Sequence, residues 1–414
     1  MSNVVKPNEP ISSPANFSHF LSEQKSGYLR AVEEGEMKKN IWTISMGNEA
    51  GDLDSLASAV SYAWYASRHL GQPTVPLLQT VRVDLPLRAE NLYALEFSGV
   101  DPTDLLTGDE LLADSPPAVK YAIVDHNTLA GRFAADDNAR VVAIVDHHMD
   151  EHHHLDASPR IIEVPTGSCS SLIARLIQKE WPEGMNRAVA RLLLSAVLID
   201  TGGLKAGGKA EVTDRGVAPF LLEKAELGDL SLGAVVDVKE VKDLTQLLEL
   251  RKSSVDMLSP RDLIRRDYKE YRFVPAWKAE GTVLIGLASV PKSITAIAGD
   301  KKGRRALATA WIGWLTERGL DALGVLTSWR DGEKEGSKGK HRREMAWVVR
   351  NDKELKKRLW KGLEDSEELK VSRKKMGGME GAGGEDLKIR VFEQGDAQAT
   401  RKVIAPLVKA IVEI

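Results

Sequence analysis

The sequence predicts a parallel α/β sheet with helices on both faces, followed by a smaller C-terminal α/β region. Three observations carry this. Short apolar runs recur: "IWTISM" (41–46), "TVPLLQ" (74–79), "YAIVD" (121–125), "VVAIVD" (141–146) and "IIEV" (161–164). Helical patterns lie between most of them, as in "SLASAVSYAWYASRHL" (55–70), which Gly71 ends. The runs are almost continuously Val, Ile and Leu, which is how strands buried on both faces read.

The remaining elements follow in order. Residues 1–16 are polar with three prolines and are expected to form a mobile tail. Phe17, Phe20, Leu21, Tyr28, Leu29 and Val32 share one helical face, so a helix is expected over about 17–34. A further helix, "GMNRAVARLLLSAVLID" (184–200), ends in an aspartate, and residues 211–258 are mostly helical in pattern. A second α/β region starts near 259 with "RDLIRRDYKEY", a strand at 282–290, a helix and a strand at 322–329. The segments "RDGEKEGSKGKHRRE" (330–344) and "KKMGGMEGAGGED" (374–386) are expected to be flexible, solvated loops. The division expected is a tail and helix (1–35), a first domain (36–225), a helical linker (226–258) and a second domain (259–414).

The 414 residues suit two domains, and 43 % apolar with 28 % charged residues is ordinary for a globular chain. The single cysteine, Cys169, excludes an internal disulfide. No apolar run is long enough to span a membrane, and the first forty residues read as neither signal nor transit peptide. A cytoplasmic protein with no membrane partner is expected. The net charge of −3 conceals an asymmetry. Residues 1–200 carry 16 Lys+Arg against 27 Asp+Glu, a net of −11, and residues 201–414 carry 41 against 33, a net of +8. An acidic half suits cations and a basic half suits an anion.

Ligands of open α/β sheets bind outside the carboxyl ends of the strands. The candidate site residues cluster at those ends. Asn48, Asp52 and Asp54 follow the first strand; Asp125, His126 and Asn127 follow the run at 121–124; Asp146, His147 and His148 end "IVDHH"; Asp200 ends the helix. Each has a plain structural explanation when taken singly. Asp54 or Ser55 could cap the helix starting at 55, and a strand-end Asp is commonly a turn residue. His152, His153 and His154 read as an exposed loop. Taken together, converging carboxylates repel one another unless cations neutralise them. Two divalent ions about 3.5–4 Å apart would do so and would activate a water between them. Oxygen ligands with one or two imidazoles suit Mg²⁺ or Mn²⁺, with Co²⁺ also compatible.

The order Asn48-x₃-Asp52-x-Asp54, "VDHN" (124–127), "VDHH" (145–148) and "LIDTGGLK" (198–205) resembles the DHH phosphoesterase superfamily, and "GNEAGDLDS" resembles its exopolyphosphatase and prune branch. Family II inorganic pyrophosphatases carry His where this chain has Asn48. "LIRRDYKEY" (263–271) and "QATRKVIAPL" (398–407) resemble the two basic motifs of the DHHA2 domain that follows the DHH domain in these enzymes. The motif set resembles that of fungal exopolyphosphatases.

The resemblance implies a DHH domain joined to a DHHA2 domain, with the active site in the cleft between them. It implies that Asp125 bridges two metals, that Asn48 and Asp52 complete the first, and that Asp54, His147 and Asp200 complete the second. His148 would face the substrate phosphate, with His126 and Asp146 orienting the ligands. Lys269 and Arg401 would hold phosphates, Lys402 assisting. The run "KGKHRR" (338–343) is either an extension of a polyanion track or a solvated loop. The implied activity is removal of terminal phosphate from inorganic polyphosphate. The alternative is a prune-like phosphodiesterase or pyrophosphatase acting on small phosphate compounds. A nucleic-acid partner is not expected, because aromatics make up 6 % of the chain and no basic–aromatic interleaving suits base stacking. A monomer is compatible with the sequence, which leaves oligomeric state open.

Overall fold

A computed structural model describes residues 14–35, 42–111, 120–129, 131–229, 233–278, 281–332 and 339–413. It divides into two compact units, Met1–Lys252 and Ser253–Ile414. The expectations for residues 1–13, Ile41 and residues 333–338 lie outside the described residues.

The first unit contains α1 (Pro14–Glu33), β1 (Thr43–Met46), α2 (Leu53–Arg68), β2 (Thr74–Leu78), α3 (Ala89–Ser98), β3 (Leu106–Thr107), β4 (Lys120–Val124), β5 (Arg140–Asp146), β6 (Arg160–Ile162), α4 (Cys169–Glu180), α5 (Arg187–Thr201), α6 (Val212–Lys224) and α7 (Lys239–Ser253). Its sheet has the order β3-β2-β1-β4-β5-β6. Every pairing is parallel. The side chains explain why the strands read as continuous apolar runs. Ile44, Met46, Tyr121, Ile123 and Ile144 fill one core with Tyr28 of α1. Ala122, Val124, Ala143 and Val145 point the other way, into a core shared with α2, α4 and α5. Small residues on that second face let the helices approach closely, and Ser45 there donates to the Ala59 carbonyl of α2 at 2.9 Å.

The strand order places a topological switch point between β1 and β4, the position at which ligands bind in doubly wound sheets. The carboxyl ends of β1, β4 and β5 therefore lie side by side. The turn leaving β1 is tight because Gly47 lacks a side chain. A Cβ there would stand 2.4 Å from Ser55 Cβ.

The second unit contains α8 (Pro260–Arg265), β7 (Tyr268–Phe273), β8 (Val283–Val290), α9 (Ile294–Ala298), α10 (Lys301–Glu317), β9 (Ala322–Asp331), β10 (Lys340–Arg350), α11 (Lys353–Glu364), β11 (Val371–Lys374), β12 (Leu387–Gln394) and α12 (Arg401–Glu413). Its six strands run β11-β12-β10-β9-β8-β7. Only β8 and β9 pair in parallel, the two being joined through α9 and α10. The other pairings are antiparallel. One core packs α8 and α10 on the sheet, and another packs α11 and α12 on the opposite face.

Two expected loops prove to be structured in part. Residues 340–344 are the first rungs of β10, with Lys340 opposite Asp331 and His341 opposite Arg330. Within 374–386, Met376 and Met379 are buried in the core beneath α10. Glycine-rich composition masked that anchoring, because two methionines suffice to pin a segment of this length.

Candidate metal centre

Asp125 lies at the centre of the strand-end cluster. It follows β4 directly with φ +60°, a left-handed conformation that aims its carboxylate back across the sheet edge. The carboxylate is buried. Oδ2 accepts from Ser55 Oγ at 2.6 Å and from Asn48 Nδ2 at 2.7 Å. Oδ1 stands 3.2 Å from His147 Nε2 and 3.6 Å from His148 Nδ1. Burial pushes its pKa up, but the hydrogen bond from His147, the charges of both histidines and the Ser55 hydroxyl outweigh it. The net effect holds Asp125 ionised, far below the usual carboxylate range.

Both histidines are held at Nδ1, which in His147 is the nitrogen away from Asp125 and in His148 is the one that faces it. His147 Nδ1 lies 3.0 Å from the Thr166 carbonyl, which can only accept, so Nδ1 carries a proton and Nε2 faces Asp125. His148 Nδ1 lies 2.7 Å from Asp146 Oδ1. Asp146 is fully buried and also accepts from the His147 backbone N–H at 2.8 Å and from Asn127 Nδ2 at 2.6 Å. Burial pushes the Asp146 pKa up, and the His148 hydrogen bond and charge more than reverse this. A carboxylate or carbonyl holding the far nitrogen of an imidazole is the usual support of a metal-binding histidine.

Asp54 lies in the first turn of α2. Its Oδ1 accepts from Ser168 Oγ and the Ser170 N–H, both at 2.8 Å, and Oδ2 accepts from the Cys169 N–H at 2.7 Å. It thus satisfies the amino end of α4, whose own N-cap Ser168 makes no side-chain cap bond to its own helix. Oδ2 also lies 3.9 Å from His147 Nε2. Burial first, and the Asp125 charge second, push the Asp54 pKa up. The capping expectation at this turn needs correcting. The helix starts at Leu53 and its cap is Asp52, whose Oδ1 accepts from Ser55 N–H at 3.0 Å. Asn48 is buried, donates to Asp125, and accepts from Ala50 N–H through Oδ1 at 3.0 Å. That oxygen keeps a second lone pair.

Asp125, His147 and His148 thus offer ligand atoms that all lie within 4.8 Å of one another. Asp54 borders this group. Asp52 contributes to the local charge, raising the pKa of both Asp54 and Asp200. Among the histidines at 152–154, His154 Nε2 accepts from the Leu129 N–H at 3.3 Å, and His152 and His153 are exposed. His126 Nδ1 lies 2.8 Å from the Val124 carbonyl.

The donor set fits a hard divalent cation. It combines buried carboxylates that repel one another with two imidazoles beside Asp125. Asp200 gives the clearest sign of this unbalanced charge. Burial and the Asp54 charge push its pKa up to about 8, against the pull of Lys252 and His147. An acid raised in the folded state binds a proton that the unfolded chain has lost, so stability falls as pH rises from about 4 towards 8. Chelator-treated protein should therefore lose melting temperature between pH 5 and pH 8, by about 2–4 °C per kcal/mol. Mn²⁺ should cancel that slope by replacing the proton, and Asp200→Asn should reduce it. A flat profile in chelator, measured by scanning calorimetry, would count against a cation site here.

Three supporting elements were not anticipated from the sequence. Ser55 holds Asp125, Thr166 holds His147, and Asp214 holds the turn between them. Asp214 is fully buried and accepts from Gly167 N–H at 2.8 Å, Ser171 Oγ at 2.6 Å and Glu211 N–H at 2.7 Å. Gly167 permits this, since a Cβ there would stand 2.5 Å from Asp214 Oδ2. The signal was "PTGSCSS" (165–171), a second strand-to-helix turn with the same small polar character as "GNEAGDLDS".

The second unit brings its two basic motifs together. Arg401 Nη2 lies 2.8 Å from Asp267 Oδ1, and Nη1 donates to the Asp267 carbonyl at 3.2 Å. Asp267 stands two residues before Lys269, a half-buried residue of β7. Lys402 is exposed on the first turn of α12.

Residues 42–197 match the DHH family N-terminal domain, so the chain belongs to the DHH phosphoesterase superfamily. Residues 246–411 match the DHHA2 domain, which places it in the branch that carries both. A Schizosaccharomyces pombe protein named, provisionally, an exopolyphosphatase is 34 % identical over 239 residues, 54 % of this chain and 59 % of that protein. An Archaeoglobus fulgidus protein named, provisionally, a manganese-dependent inorganic pyrophosphatase is 28 % identical over 232 residues, 55 % of this chain and 66 % of that one. In both cases the match spans less than two thirds of the relative's own length. A Methanococcus jannaschii structure titled, provisionally, a family II inorganic pyrophosphatase covers 90 % of this chain and 99 % of its own. It is 20 % identical with a TM-score of 0.58, a likeness of fold. No helix among the described residues is long and apolar enough to cross a membrane.

Proposed function

We propose that this protein is a metal-dependent exopolyphosphatase that hydrolyses the terminal phosphate of inorganic polyphosphate. The observation that carries the reading is Asp125, buried at the switch point with both histidines close to its carboxylate. The names of its relatives, exopolyphosphatase and manganese-dependent inorganic pyrophosphatase, support hydrolysis of phosphoanhydride bonds and use of a divalent metal.

In this reading Asp125 would serve two divalent ions, Mg²⁺ or Mn²⁺, with Asn48 and Asp52 helping to hold one and Asp54, His147 and Asp200 the other. When bound, such a pair supplies a water acidic enough to attack phosphorus near neutral pH. The chain's own groups do the rest. Thr166 keeps the His147 proton on Nδ1 and so keeps Nε2 available. Asp146 turns His148 so that its outer nitrogen, when protonated, donates to a phosphate oxygen. Lys269, Arg401 and Lys402 hold substrate phosphates, Arg401 as a fork and the lysines as point charges.

The test is phosphate release from long polyphosphate, pyrophosphate, a cyclic nucleotide and a short oligonucleotide, each incubated separately with the protein and Mg²⁺ or Mn²⁺. Release from polyphosphate is expected to dominate. Preference for pyrophosphate would shift the assignment to the pyrophosphatase alternative, and release from the oligonucleotide would overturn both.

Asn48 is the residue that distinguishes these readings. A neutral amide oxygen is a hard ligand, whereas imidazole suits softer transition metals. Asn48→His is expected to raise affinity for Mn²⁺ and Co²⁺ relative to Mg²⁺ and to move preference towards pyrophosphate. Unchanged metal selectivity in a titration series would remove Asn48 from the ligand set.

A further inference from the structure

A basic groove lies in the second unit, away from both motifs used above. Its volume is about 500 Å³, and its lining includes Lys353, Lys356 and Lys357 of α11, Arg373 of β11, and Lys388 and Arg390 of β12. One carboxylate, Glu380, lines it with these six cations. The sheet order sets β11 and β7 at opposite edges. Five strand spacings of about 4.8 Å put roughly 24 Å between this edge and the strand of Lys269.

The lysines are poorly placed for stability. Positions 353, 356 and 357 follow the i, i+3, i+4 spacing of one helical face, where like charges repel. They also occupy the first turns of α11, the end of a helix that favours anions. Arg390, paired with Glu364 at 3.1 Å, brings a further cation to the same face, and after burial the charge of Arg373 is the next cause lowering its pKa. No ion pair neutralises Lys353, Lys357 or Arg373 among the described residues. A cluster that costs stability in isolation is explained by an anion that relieves the repulsion.

The single aromatic residue in the groove narrows the kind of anion. Trp360 is buried, with Arg390 4.7 Å above its ring centroid and Phe392 packed at 6.2 Å. No open ring is left on which a base could stack, and stacking is what single-stranded nucleic acid adds to phosphate contacts. We propose that this groove is a second binding site for long-chain inorganic polyphosphate, separate from the cations at Lys269 and Arg401. The choice of polyphosphate rests on the exopolyphosphatase reading. A chain of three phosphates is far too short to reach from one sheet edge to the other, so the groove acts on long chains alone.

The test is calorimetric binding of long-chain polyphosphate to the full chain in chelator, where no turnover occurs. Wild type is compared with the triple variant Lys353→Glu, Lys357→Glu, Arg373→Glu and with its Gln counterpart. The Glu variant is expected to bind on the order of tenfold or more weakly, with a log–log salt slope shallower by roughly two. The Gln variant should fall between. In the presence of metal, KM for long chains should rise, while kcat and all tripolyphosphate kinetics stay at wild-type values. Melting temperature should be unchanged or raised, because glutamates suit the amino end of α11. Equal affinity and salt slope in wild type and variant would overturn the proposal. Displacement of polyphosphate by an equally charged single-stranded DNA would overturn its specificity for polyphosphate. The reading of the active site is judged separately. Wild type that binds polyphosphate in this groove without hydrolysing it would refute the exopolyphosphatase and leave the groove standing.

Discussion

Asp125→Asn is expected to lower kcat/KM for polyphosphate by about three orders of magnitude or more while leaving the fold intact. The structure supports both halves of that expectation. Asp125 sits at φ +60°, and asparagine is among the few residues that tolerate the left-handed region, so the substitution introduces little backbone strain. The amide keeps the volume and can still meet Ser55 and Asn48. What is lost is the negative charge that faces His147 and His148. In the proposed centre that charge is shared by two cations, so both affinities should fall together. Losing about 4 kcal/mol of transition-state stabilisation corresponds to about three orders in rate. The measurements are Mn²⁺ affinity, melting temperature and turnover on one preparation. Near-normal turnover by folded, metal-saturated Asp125→Asn would remove Asp125 from the bridging role.

The same residues show which features could be read from sequence. The ends of β1, β4 and β5 were legible because each strand is a continuous apolar run broken by an acid or histidine, a local signal. Their meeting was legible through a general rule, that parallel strands gather their carboxyl ends at a switch point. The partners that orient them were not. Asp54 accepts from a turn more than one hundred residues away, and Asp214 reaches that turn from α6. Neither spacing nor periodicity encodes such a contact. The cap of α2 was misplaced because Asp52, Asp54 and Ser55 all have suitable chemistry, and only backbone geometry selects Asp52. The basic groove is of the same kind. Its cations come from one helix and two strands, and each alone reads as a solvated surface charge.

Arg401→Ala tests the division between metal chemistry and phosphate capture, and the structure sharpens the test. Arg401 is paired with Asp267 through two nitrogens. The pair also fixes the fork beside Lys269, two residues from Asp267. If Arg401 holds substrate, removing it should leave Mn²⁺ affinity intact and reduce kcat/KM by about one to three orders of magnitude, since a charged hydrogen bond contributes about 1.5–3 kcal/mol and more when the anion is buried. Polyphosphate binding should also depend less steeply on salt, because fewer counterions are released. Asp267→Asn then separates positioning from contact. It keeps the guanidinium but loosens its hold, so it should raise KM modestly and spare most of kcat. The opposing possibility is that Arg401 only ties α12 to the turn before β7. In that case Arg401→Ala and Asp267→Ala would lower the melting temperature alike, and the folded fraction of each would keep normal kinetics. Melting temperature, Mn²⁺ affinity and polyphosphate kinetics measured side by side on the three variants decide between the two roles.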